Sequence, residues 1–289
     1  MNLTRSIMLI PLSAFLLTGC ATPQRSEYAA FAQAGSGYAQ AVDKLLVVAG
    51  KAQVDSSSWI FVINKDTFGV VSEKSYNDLT DQDKKRLQII RDLQNHARLL
   101  GKYFDQLNYL ATSDAPERTK KSIEGLITNM TELVPQLNAS YPDVFKALPQ
   151  ITDMAVDIKI RGALREELNT RQKVIRRQLV IQERLLKRLR ADITKALTDE
   201  ASIKEDLFVK GPLLDKKPLA KTEAWVAKRH EVIYLLPVTV AELDSAGEAA
   251  ENMKEAFEIL LSGKDAMSRI NALITDIESI LAVADAVKL

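Results

Sequence analysis

Apolar and small residues recur every three or four positions along most of this chain, the spacing of one helix face. Tyr38, Val42, Leu45, Ala49, Ala52, Ser56, Trp59 and Ile63 form the first such series. Gly35 and Gly37 interrupt it, so the regular helix is expected to begin near Gly37, with residues 20–36 as a tether. An alternative makes WIFVI and TFGVV a β-hairpin about Asn64, Lys65 and Asp66. A second helix is predicted from Thr80, an N-cap followed by Asp81 and Asp83, with Leu87, Ile90, Leu93, Ala97, Leu100, Phe104, Leu107 and Leu110 on its face. A third starts at Asp114, with Pro116 in its first turn and Glu117 at the capping-box position, and runs to about Leu137.

The fourth predicted helix is the longest, about Ile151 to Thr198. Its seam is Leu164, Leu168, Ile175, Leu179, Leu186, Leu189 and Ile193, interrupted by Gln172 and Gln182. Residues 201–238 carry three prolines and read as a connection holding a short helix from Lys221 to Leu236. The last helix opens at Thr239, with Glu242 completing a capping box, and keeps one register across Gly263 to about Val287. The pattern thus predicts an all-α, elongated bundle of about five long antiparallel helices over residues 37–289. With only 11 glycines and 9 prolines in 289 residues, composition agrees. Apolar residues at 46% and charged residues at 27% place the chain among folded proteins.

The first twenty residues follow another logic. Arg5 precedes an apolar run from Ile7 to Leu17, too short to span a membrane and about as long as a signal-peptide core. Leu17, Thr18, Gly19 and Cys20 follow, and Cys20 is the single cysteine. This resembles the lipobox of bacterial lipoprotein precursors. The resemblance implies that the Cys20 thiol is alkylated with diacylglycerol, that signal peptidase II cuts between Gly19 and Cys20, and that the new amino terminus is acylated. A thiol is the strong nucleophile among small side chains, which suits the first step, and two or more acyl chains hold a protein stably on a bilayer. The alternative is a buried structural cysteine. Ala21 stands where an aspartate commonly retains such proteins at the inner membrane, so the resemblance implies an outer-membrane anchor facing the periplasm.

Charge and candidate chemistry narrow the function. Without residues 1–19 the chain has 38 basic and 38 acidic side chains, which gives no electrostatic reason to bind nucleic acid. His96 and His230 are the two histidines; neither lies in a zinc-binding spacing, and no cofactor is implied. No phosphate loop or nucleophile elbow occurs. Residues 171–190 hold eight basic side chains and one acidic, whereas residues 239–289 hold ten acidic and four basic. Antiparallel pairing of the fourth and last helices would set these opposite each other; the other reading is contact with anionic lipid or an acidic partner through Arg176, Arg177, Arg184 and Arg188. The expected role is that of a non-enzymatic structural or partner-binding lipoprotein of the cell envelope, its partner unidentified. The alternatives are a membrane-active helical protein, inserting residues 59–71, and an envelope hydrolase.

Overall fold

The computed structural model describes residues 23–112, 116–151, 162–217, 219 and 221–286. The signal peptide, Gly19 and Cys20 lie outside them, as do the Asp114 cap and most of residues 151–161 of the expected fourth helix. Among the described residues the protein is all-α, without strands.

Helix α1 runs unbroken from Pro23 to Phe68, so neither the tether over 23–36 nor the hairpin over 59–71 is present. Gly35 is a contact residue rather than a helix breaker. A Cβ placed there would lie 2.6 Å from Phe104 Cγ and from Met253 Cε, so only glycine lets α1 approach its neighbours this closely. The presumed tether instead carries Tyr28, Phe31 and Ala32 into the core, where the Phe31 ring stacks on Phe257 and meets Phe104 edge-on.

Gly69, in the left-handed region, turns the chain into α2, Glu73–Thr112. This helix starts two turns before Thr80. Asp83 therefore does not serve a helix end: it is buried mid-helix and accepts hydrogen bonds from Ser57 Oγ at 2.6 Å and Gln53 Nε2 at 3.1 Å. Helices α1 and α2 lie antiparallel, close enough at Gly101 that a Cβ would come within 2.8 Å of Ala39. Helix α3 (Pro116–Ser140) continues through Pro135, past the expected end at Leu137, and a short α4 (Pro142–Lys146) follows.

Two long helical arms complete the bundle. Helix α5 spans Ala163–Lys204, opened by Gly162 at φ +84°; the expected start at Ile151 is thus too early and the end at Thr198 too early as well. A π-helical stretch, Glu205–Lys210, carries α5 directly into α6, Gly211–Leu214. The returning arm comprises α7 (Thr222–His230), a second π stretch over Glu231–Leu235, and α8 (Leu236–Leu261). Most of the expected proline-punctuated connection is therefore helix. Each π stretch ends two residues before a proline, Pro212 or Pro237. A proline ring collides with the carbonyl four residues back in an α-helix, and at Pro212 the wider π turn stands where that collision would fall. Since the second arm is already helical at Thr222, Thr239 is not a helix start.

The expected last helix is two. Gly263, at φ +71°, ends α8 with paired bonds from its amide to Leu260 and from the Lys264 amide to Ile259. Asp265 then accepts the Met267 amide at 2.8 Å and opens α9, Met267–Ala286. The register that persists across Gly263 belongs to two helices, which fold back and pack on each other. Helices α5 and α9 run parallel to α1, because residue numbers rise together from Tyr38–Gln182 to Trp59–Lys204, and from Glu27–Ala266 to Gly37–Ile277. The antiparallel description thus holds for α1–α2 and α5–α8 but not throughout.

Candidate interaction surfaces

The predicted charge pairing is present between α5 and α8. Arg176 lies 3.2 Å from Glu258, Glu183 2.7 Å from Lys254, and Lys187 3.2 Å from Glu251. Residue numbers rise on one helix as they fall on the other, the antiparallel order. Burial alone pushes the Glu183 carboxyl up, but the hydrogen bonds and charges of Lys187 and Lys254 outweigh it and hold it below the ordinary value. Of the four arginines proposed as one contact face, only Arg176 meets α8. Arg177 is exposed, Arg184 half-buried, and Arg188 pairs at 3.7 Å with Asp192 of its own helix. Arg176 is turned from the other three by ~100°, whereas Arg177, Arg184 and Arg188, spaced by seven and four residues, share one side of α5.

His96 faces inward from α2 and is fully buried. Its Nδ1 lies 2.7 Å from Gln182 Oε1 and its Nε2 2.8 Å from Gln178 Oε1, both on α5. Burial lowers the pKa of His96, opposed by these amides, and a neutral ring donates from one nitrogen only. With both amide oxygens toward the ring, Gln182 Nε2 and the Tyr38 hydroxyl have no partner. Turning the Gln182 amide over gives the neutral ring a donor and offers an oxygen to Tyr38, which lies against that amide. The resulting chain, Tyr38 to Gln182 to His96 to Gln178, joins α1, α2 and α5. Gln182, read from sequence as an interruption of the seam, is its centre.

Two further carboxyls, Glu27 and Glu167, are raised chiefly by burial. Glu167 is bound by Arg171 at 3.2 Å and lines none of three surface clefts. The most enclosed of these, about 430 Å³, lies between α1, α2 and α5 beneath Tyr141, with Gln53, Ser57, Arg86 and Arg188 among its walls. Among the described residues no three His, Cys, Asp or Glu side chains gather as metal ligands, and no helix is long and apolar enough to cross a membrane.

A second, weakly buried region is the tip where the two arms meet. Trp59 meets Phe208 edge-on with centroids 5.3 Å apart; Lys204 lies over Trp59 and Lys228 over Phe208. Glu231 joins the arms by accepting from Lys204 at 2.7 Å and Lys228 at 2.5 Å, and Trp225 Nε1 donates to the Val209 carbonyl at 3.0 Å. Beyond this clasp, α6 and α7 contribute no buried residue. Leu213 and Leu214 are 54% and 79% exposed, Val226 55% and Tyr234 58%. Val226, His230 and Tyr234, four residues apart, make an outward stripe on which the last two rings meet at a tilt of 32°, centroids 5.2 Å apart. Prolines at 212, 218 and 237 make this stretch read as a chain break in the sequence, although the apolar runs LL and VIYLL beside basic residues are a signal of a helical surface there.

Comparison with known proteins finds no matching family model, no matching curated protein and no matching solved structure.

Proposed function

We propose that the protein is a lipid-anchored, non-enzymatic spacer of the cell envelope, which holds a contact surface away from the membrane that Cys20 anchors. The observation that carries this reading is the course of α1. It starts at Pro23, three residues after Cys20, and ends beside the tip without a break. At 1.5 Å per residue, its 46 residues separate the two ends by ~70 Å. Arg25, donating to the Ala111 carbonyl, and Tyr28, donating to the Leu260 carbonyl at 2.7 Å, tie the anchored end to α2 and α8. These ties make α1 part of a stiff body rather than a loose stalk.

Mass spectrometry of the mature amino-terminal peptide from the native host tests the anchor. A diacylglyceryl-modified Cys20 is expected; an unmodified residue there refutes it. Outer-membrane placement follows from Ala21 and is checked by fractionating the two membranes. Activity on hydrolase and glycosidase substrate panels, lost on changing one carboxylate or serine, would replace the spacer reading with an enzymatic one. In the membrane-active alternative residues 59–71 insert; here they close α1, with Trp59 on Phe208 and Phe61 on Tyr76. Liposome leakage separates that alternative.

A further inference from the structure

We infer that the tip formed by residues 211–217 and 221–234 docks on an anionic lipid surface. The inference rests on the spacer reading for its biological setting and on the tip's own chemistry for its content. Three observations converge on lipid. The exposed apolar groups are aliphatic: Leu213, Leu214 and Val226 stand on α6 and α7, which bury nothing, and Ile233 is exposed on the π stretch that follows, beside buried Val232. Residues 211–230 hold five basic and two acidic side chains. Of the basic ones, Lys216, Lys217, Lys221 and Arg229 are exposed and have no ion-pair partner among the described residues.

Arg229 lies three residues after Val226 and four before Ile233, so on a helix it borders the apolar stripe. Tyr234 ends that stripe with a ring and a hydroxyl. Aliphatic side chains bordered by cations and an aromatic with a polar tip match the boundary between acyl chains and headgroups. Anionic phosphates would neutralise the unpaired lysines while Leu213 and Leu214 enter the acyl region. A protein partner burying the same stripe would instead have to supply acidic groups opposite four separate cations.

The test uses residues 21–289, which retain every described contact, mixed with vesicles of phosphatidylcholine alone or with equimolar phosphatidylglycerol. Co-sedimentation with the anionic vesicles is expected, weakening at high salt. The double variants Leu213→Ser/Leu214→Ser and Lys216→Gln/Lys217→Gln should each lower the partition coefficient ~10-fold or more, with unchanged circular dichroism and melting temperature. Equal partition to neutral vesicles, absence of binding, or variants that bind like the parent overturn the inference. Capture of an envelope protein by the tip without vesicle binding also overturns it and assigns the surface to protein. None of these outcomes bears on Cys20, whose modification is read separately from the native host.

Discussion

The central bundle around His96 and the tip beyond Trp59 are built from the same helices and obey opposite rules. In the bundle the polar groups are inside: Gln178, Gln182 and His96 are buried and bonded to one another. At the tip the apolar groups are outside, and the helices are held by charged and aromatic contacts about Lys204, Lys228 and Glu231. A buried hydrogen-bonded set specifies one packing, since shifting a helix leaves donors and acceptors unpaired at a cost of ~1–3 kcal/mol each. The tip has no such constraint and leaves its apolar side chains free to meet something else. Both π stretches lie on the tip side of the bundle, each followed two residues later by a proline. The lesson is that helix continuity and burial are separable: α7 is as helical as α2 and has no buried residue.

The largest effect should come from the bundle. His96→Leu strands both glutamine amides and should cost ~3 kcal/mol in chemical denaturation. The loss should depend on pH. Because burial holds the His96 pKa below its ordinary 6.5 in the folded state, the unfolded chain takes up the proton first as pH falls. The wild type then loses up to ~1.4 kcal/mol per pH unit from 6.5 down to the folded pKa, and His96→Leu does not. The gap between the two should narrow on acidification; a constant gap would show that His96 is not held neutral.

Two neighbouring glycines give the next contrast. Gly35→Ala forces a Cβ into the Phe104 ring and should destabilise by ~1–2 kcal/mol despite a better helix propensity. Gly37→Ala meets nothing closer than Ile277 Cδ1 at 3.8 Å and should stabilise by ~0.5–1 kcal/mol. Equal signs in thermal melts would break the assignment of Gly35 as the close contact.

Charge reversal separates the paired face of α5 from its unpaired one. Arg176→Glu with Lys187→Glu should lower stability by ~1–2 kcal/mol at low salt and less at high salt. Arg177→Glu with Arg184→Glu should change it by less, since neither has an ion-pair partner among the described residues. The smallest effect belongs to the tip: Leu214→Ser or Val226→Ser should alter stability by no more than ~0.5 kcal/mol. A larger loss would mean that the tip is packed against the bundle.

Much of the bundle was legible because burial in a helix leaves a period in the sequence. The face of α2 and the seam of α5 follow from that period alone, and from Ile90 to Leu110 on α2 and Leu164 to Ile193 on α5 these residues lie in one core. The charge match of α5 and α8 was legible too, because net charge sums over a helix without knowledge of its rotation. Which arginines take part was not: Arg176 and Arg177 are adjacent in sequence and differ only in the direction they face. The role of His96 was illegible for a similar reason, since its partners lie on another helix 82 and 86 residues away.

Glycine and proline drew the line between sequence and tertiary structure most sharply. The sequence by itself determined that the chain is helical, where apolar faces lie, and that α5 is complemented by acidic helices near the end of the chain. Tertiary structure decided that Gly35 is a contact and Gly263 a turn, although both interrupt equally regular patterns. A glycine lowers helix propensity by the same ~1 kcal/mol wherever it stands, and packing against neighbours outweighs that at one site and not the other. Pro212 was decided in the same way, following a π turn where the arms clasp each other through Lys204 and Glu231.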